Sequence, residues 1–251
     1  MKEYTRQAEM RDVIVSFSSK GREDYNKSLL RLIDSCIDHW KGDLLVYSPD
    51  HELDQYRGVT IHKGWPQPKG IRSYTHAEMP YQFKTAMIQL AIEKGYERVI
   101  WLDSSMQLKK DLTPLFNERN VFFFHNLGHP TWNYLSDHAQ SLLSIINEDL
   151  RDIPQVWGGA FGLDLTTWIG KLMFGEIKDY SVNGSFKDGG SNRQGFIAHR
   201  HDQAVMSVLL HKLTKTFNEV GLMLPYGQIL CPPHDRTGEY GTDPYLICRG
   251  L

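Results

Sequence analysis

The segment Arg98-Val99-Ile100-Trp101-Leu102-Asp103-Ser104-Ser105 ends an apolar run abruptly on a carboxylate and two hydroxyls. The run is β-branched and apolar, which predicts a strand buried on both faces. An acid at the end of such a strand lies at the carboxyl edge of an α/β sheet, where these folds bind ligands. Placed there, Asp103 can hold a ligand hydroxyl or ligate a hard divalent cation. Ser105 stands where a second acid would complete a two-carboxylate cation site, and a hydroxyl is the weaker ligand. The plainer alternative is that Asp103 caps the turn that follows.

Four further constellations carry hydrogen-bonding chemistry. His199-Arg200-His201-Asp202-Gln203 precedes an apolar helical run through Ala204, Val205, Val208 and Leu209. Five polar side chains in a row at a helix start are costly to bury without partners. Asp202 there is either a capping acid or a carboxylate able to accept a hydroxyl proton. His199 and His201 are two apart, a spacing that lets both face one side, but no third ligand is fixed beside them.

Pro80-Tyr81-Gln82-Phe83-Lys84 opens the helix before the Asp103 strand. A lysine in a first helical turn opposes the helix dipole, so Lys84 is either solvated, paired with Asp103 or aimed at an anion. Gly158-Gly159-Ala160-Phe161-Gly162 allows a close approach to the backbone, by a ligand or by tight packing. Ser16-Phe17-Ser18-Ser19 puts hydroxyls at the end of the first strand, where turn formation alone would also explain them.

The elements that position these residues alternate in type. Strands are expected at 12–17, 44–47, 59–62, 98–102, 121–124 and 156–165. Helices are expected from Asp24 to about Ile37, at 81–94, 111–116, 136–149, 167–174 and 201–213. Segments 64–80 and 182–197, rich in Gly with Pro and Lys or Ser and Asn, read as long loops. The second is expected to be mobile or ordered by a ligand. No repeat or linker divides the chain, so residues 1–251 read as one domain.

Composition narrows the class. The chain has 251 residues with 41% hydrophobic and 23% charged content, as in an ordinary soluble globule. A net charge of −2 excludes a generic polyanion binder, so any nucleic-acid contact must be local, for instance at Lys109-Lys110. Three scattered cysteines (Cys36, Cys231, Cys248) make neither a disulfide framework nor a zinc ribbon. With a polar Met1–Arg11 segment and no run near the roughly 20 apolar residues of a membrane span, a cytoplasmic protein is expected. Aromatics such as Trp65, Trp101, Trp132, Trp157 and Trp168 offer faces for sugar rings, although core packing is their commoner fate.

Taken in order across residues 12–210, these segments resemble nucleotide-diphospho-sugar glycosyltransferases of the GT-A fold. Tyr96 to Met106 followed by Asp111-Leu112-Thr113-Pro114-Leu115-Phe116 is similar to that family's strand and Asp-x-Asp block. Trp157 to Leu165 is similar to its glycine-bearing donor-sugar strand, and His201-Asp202-Gln203 to its Asp-Gln helix start. A closer likeness is to uncharacterised viral and bacterial relatives sharing Phe83-Lys84, Trp101 to Ser105 and Arg200 to Gln203.

The resemblance implies an α/β fold with a Rossmann-like mixed central sheet flanked by helices. It implies a sugar-nucleotide donor, UDP- or GDP-linked, and an acceptor hydroxyl on a glycan, a protein or a hydroxylated nucleobase. Donor binding would fall to Ser16, Ser18, Lys84, Asp103, Ser105, Gly158 and Gly159. His201, Asp202 and Gln203 would do the chemistry, with Asp202 the base if the anomeric centre inverts. Mn²⁺ or Mg²⁺ is implied, held by Asp103 and a late histidine for which His234 is the candidate, but Ser105 interrupts the metal motif. A nucleotidyltransferase and a non-catalytic nucleotide-sugar-binding module are the competing readings. Pyrophosphate release marks the first, and binding without turnover the second.

Overall fold

A computed structural model describes residues 10–19, 23–217, 223–224, 229–230 and 246–248. Their chain order is β1 (Asp12–Phe17), α1 (Glu23–His39), β2 (Asp43–Tyr47), β3 (Gln55–Tyr56), β4 (Val59–His62) and α2 (Gln82–Glu93). There follow β5 (Arg98–Leu102), β6 (Met106–Leu108), α3 (Thr113–Glu118), β7 (Val121–Pro130), α4 (Asp137–Leu142) and α5 (Asn147–Arg151). The series ends with β8 (Pro154–Asp164), α6 (Trp168–Val182), α7 (His201–Phe217), β9 (Met223–Leu224), β10 (Ile229–Leu230) and β11 (Leu246–Cys248).

Eight strands form one mixed sheet in the order β3-β4-β2-β1-β5-β8-β7-β9. Strands β4, β2, β1 and β5 run parallel, and β8 lies antiparallel between β5 and β7. This is the α/β class expected, with a Rossmann-like half and an antiparallel extension. A second sheet of β10, β11 and β6 holds the chain just past Asp103.

The strand alternation feeds two cores, one on each face of the sheet. Val13, Val15, Phe17 and Trp101 face the side packed with Phe83 and Met87 of α2, Met173 of α6 and Val205 and Val208 of α7. Ile14, Ile100 and Leu102 face the other side, with Leu29 and Ile33 of α1 and Leu115 and Phe116 of α3. Strand β5 therefore contributes to both cores, as its unbroken apolar run requires. Helix α2 is buried at eight of its twelve positions, including Lys84, which marks it as a central rather than a surface helix.

Some element boundaries need correction. The helix expected at 136–149 is two helices, broken at Ser144, whose φ is 49°. The strand expected at 121–124 continues to Pro130 through two register shifts against β8. The loop at 182–197, expected to be mobile or ordered by a ligand, is hydrogen-bonded to the body of the protein. Arg193 donates to Trp132 O, Gln140 Oε1 and Leu135 O, and Trp132 Nε1 donates to Gln194 O at 2.9 Å. Cys36 is a free, buried thiol whose pKa burial pushes up to about 12, an inert core residue.

Candidate functional site

Four segments far apart in sequence meet at the carboxyl end of β5. They line a pocket of about 340 Å³ that includes Tyr81, Lys84, Asp103, Gly158, Gly159 and Asp202. Trp157, Gln203 and residues 199–201 complete its wall.

Lys84 is the centre of this pocket. Tyr81 precedes α2 in a left-handed conformation (φ 61°) and turns the chain so that Lys84 falls in the first helical turn. A non-glycine residue in that region is strained, and such strain persists only where the surroundings impose it. The Lys84 ammonium donates to Gly158 O at 2.6 Å. It lies 2.8 Å from Asp202 Oδ2 and 3.3 Å from Asp103 Oδ1. The Tyr81 and Trp101 rings flank it, with centroids 5.0 and 5.3 Å away. The unfavourable helix dipole at this position is offset by two carboxylates.

These partners set the electrostatics. Burial disfavours the Lys84 ammonium, but the charges of Asp103 and Asp202 outweigh it and hold its pKa above the usual lysine value. Burial raises the pKa of Asp202, and the Asp103 charge adds to that; Lys84 opposes both without cancelling them. Asp103 is the accessible acid, with its side chain 37% exposed against 6% for Asp202. Its Oδ1 accepts from Trp101 Nε1 at 2.8 Å, and its N–H donates to Gly159 O at 2.8 Å. The carboxylate is thus fixed by its own strand and by β8.

The two glycines work at close quarters. A Cβ on Gly158 would sit 3.1 Å from Gln203 Cβ and 3.2 Å from Asp202 Oδ2. A Cβ on Gly159 would lie 2.4 Å from Trp157 Nε1 and 3.1 Å from Asp103 Oδ2. The backbone approach read from sequence is made here by the protein's own acids and by Trp157.

Gln203 is occupied at both ends of its amide. Its Oε1 accepts from Gly158 N–H at 3.2 Å, and its Nε2 donates to Gln155 Oε1 at 2.7 Å. Ser207, one helical turn on, donates to Gln203 O and accepts from Val156 N–H. Sequence reasoning missed Gln155 and Ser207. The i, i+4 spacing of Gln203 and Ser207 on one helix face was the available signal.

The two histidines part company. His201 opens α7 at φ 42°, its Nδ1 3.0 Å from Phe186 O, its Nε2 3.5 Å from Asp188 and its ring centroid 5.4 Å from that of Tyr81. His199 is buried, accepts from Ser136 N–H and donates from Nε2 to Ser185 O at 2.9 Å. Burial drops its pKa to about 4, so it is a neutral clip on the glycine-rich loop.

Ser16, Ser18 and Ser105 do not line this pocket. The Ser16 hydroxyl is fully buried with no hydrogen-bond partner among the described residues, and by strand alternation it shares the α1 side with Ile14. Ser18 donates to Asn26 Oδ1 at 3.3 Å. His234 lies outside the described residues.

The described residues do not fit a divalent cation. They contain no cluster of three histidine, cysteine or acidic side chains arranged to hold one. The two acids that meet, Asp103 and Asp202, already face an ammonium.

No protein-family model matches the sequence, and no curated protein matches it significantly. Among solved structures, WbbM, a bifunctional glycosyltransferase in its apo form, is similar over 98% of this chain, with a TM-score of 0.54 and 12% identity. The fold is glycosyltransferase-like. This chain spans 46% of the length of WbbM. No helix among the described residues is long and apolar enough to cross a membrane.

Proposed function

We propose that this chain transfers a glycosyl group from a nucleotide-diphospho-sugar donor to an acceptor hydroxyl. One observation carries the reading. Lys84, Asp103, Gly158-Gly159 and Asp202-Gln203, singled out by residue type, converge in one pocket at the strand edge of a glycosyltransferase-like sheet. The acceptor, in this reading, is a hydroxyl on a glycan, a protein or a modified base.

Each residue takes a role that its surroundings support. Asp103, fixed and partly exposed, holds donor hydroxyls. Asp202, whose raised pKa brings it nearer to neutral pH, receives the acceptor proton if the reaction inverts the anomeric centre. Gln203 holds the Gly158 backbone and thereby the floor under the sugar. His201 links the pocket to the loop at 182–197, which would border the acceptor. The nucleobase would lie along the strand edge from the pocket, toward Ser18; the Ser16 hydroxyl, buried inside the sheet, would not reach it.

The test is a panel of nucleotide sugars assayed by thermal shift and by nucleotide release with simple acceptors. At least one donor is expected to raise the unfolding midpoint and to be consumed. A panel without binding or release refutes the transferase reading, and pyrophosphate release from a nucleoside triphosphate would favour a nucleotidyltransferase instead.

A further inference from the structure

The Lys84 ammonium occupies a cage of three oxygens: the Gly158 carbonyl at 2.6 Å, Asp202 Oδ2 at 2.8 Å and Asp103 Oδ1 at 3.3 Å. One carbonyl and two carboxylates are the ligand chemistry of a hard divalent cation. They also equal in number the three N–H donors of an ammonium, which makes a hydrogen bond to Gly158 O and ion pairs with the two acids. The side chain of Lys84 is 5% exposed, so this arrangement belongs to the interior and is not a chance surface pair. A metal ion bound to the inner oxygens of Asp103 and Asp202 would have to share the cage with that ammonium, charge against charge.

We propose that Lys84 is the built-in cation of this pocket. It offsets one of the two negative charges of Asp103 and Asp202 in the place where a divalent metal would otherwise lie, so the chain binds its anionic donor without Mn²⁺ or Mg²⁺. The donor part of this inference rests on the glycosyl-transfer reading; the cation part rests on the geometry alone. The charge count agrees. The pocket is lined by two fixed cations, Lys84 and Arg200, and two acids, Asp103 and Asp202. Without Lys84 the acids would repel a diphosphate; with it, the pocket is close to balanced. Lys84 is a positioning residue here, holding both carboxylates and the Gly158 carbonyl in place.

The experiment is a Mn²⁺ titration of the full chain followed by electron paramagnetic resonance, without donor. Wild-type protein is expected to bind no stoichiometric Mn²⁺ up to about 1 mM. Lys84→Ala is expected to acquire one equivalent, at least about tenfold tighter, because it leaves the oxygen cage empty. Mn²⁺ is also expected to raise the unfolding midpoint of that variant and leave the wild type unmoved. One equivalent of Mn²⁺ on wild-type protein that disappears in Asp103→Asn overturns the proposal, as does a folded Lys84→Ala that gains no Mn²⁺. If Lys84→Ala does not fold, the wild-type and Asp103→Asn titrations decide the question. A parallel arm measures donor thermal shifts in EDTA, and donor binding is expected to survive chelation. Donor binding that appears only with Mn²⁺ overturns the proposal. A donor panel that is silent with and without Mn²⁺ refutes the glycosyl-transfer reading and leaves the Mn²⁺ titration to decide the cation assignment.

Discussion

Strand β5 carries a buried cation and carboxylate at each end, and the two ends are built differently. At its start, Arg98 meets Asp12 one to one, Nε to Oδ1 at 2.7 Å and a terminal nitrogen to Oδ2 at 2.5 Å, with both side chains about nine-tenths buried. The guanidinium also lies over the Phe116 ring at 5.3 Å. That pair is bidentate, balanced and closed. Just past the other end, one ammonium serves two acids, one of them partly open to a pocket. A balanced fork is sufficient to fasten β1 to β5. Beside the second, unbalanced arrangement Tyr81 and His201 hold left-handed backbone and one acid stays accessible, the kind of local strain that functional sites keep.

The largest effect that would sharpen this contrast is on turnover. Asp202→Asn keeps the shape of the pocket and removes the proton acceptor. It is expected to lower kcat by roughly 10²–10⁴-fold in an inverting reaction. Next is the closed end. Arg98→Met leaves Asp12 buried and unpaired, which costs about 3–5 kcal/mol. That lowers the unfolding midpoint by roughly 6–20 °C for a chain of this size, while donor affinity in the surviving folded protein is expected to be unchanged. If Arg98→Met weakens donor binding as strongly as the Asp103 variants do, the two ends are not distinct.

A third prediction concerns the loop beside the open end. His199 is neutral when folded, with a pKa near 4 against about 6.5 unfolded. The unfolded chain therefore binds the extra proton between those values, and stability is lost as pH falls from 6.5 toward 4. The loss from this group is on the order of 3 kcal/mol, and His199→Gln is expected to flatten that part of a denaturation-midpoint profile against pH. The smallest effect is at Gly158. In Gly158→Ala the new methyl presses on Gln203 and Asp202, at 3.1 and 3.2 Å. A rise of a few-fold in donor KM, with stability changed by about 1 kcal/mol, is expected.

Much of this scaffold is legible in the residues because local pattern and burial agree. The apolar runs of β5 and β1 and the periodic face of α7 each specify one element, and Asp103 and Asp202 at the ends of β5 and α7 fall where such folds bind ligands. Legibility fails where long-range partners decide. Strand β6 is three residues long and exists through its pairing with β11, which no local signal announces. The single helix expected at 136–149 breaks at Ser144, where Gln140 reaches forward to Ile145 O and Asn147 in place of helical continuity. The individual site residues are readable as polar residues at element ends. That Lys84 pairs with both Asp103 and Asp202, and that the amide of Gln203 is used up on Gly158 and Gln155, depends on two strands and two helices meeting. Ser16 shows the reverse. A hydroxyl at a strand end looked ligand-facing, and burial under α1 follows from a strand parity that type and position alone do not reveal.

The donor is proposed to bind at the carboxyl end of β5. The most direct measurement is the donor-induced shift of the unfolding midpoint for wild type, Asp103→Ala and Arg98→Met across one panel of nucleotide sugars. A shift is expected in wild type, retained in Arg98→Met and abolished in Asp103→Ala. A shift that survives Asp103→Ala, or no shift with any donor, would contradict it.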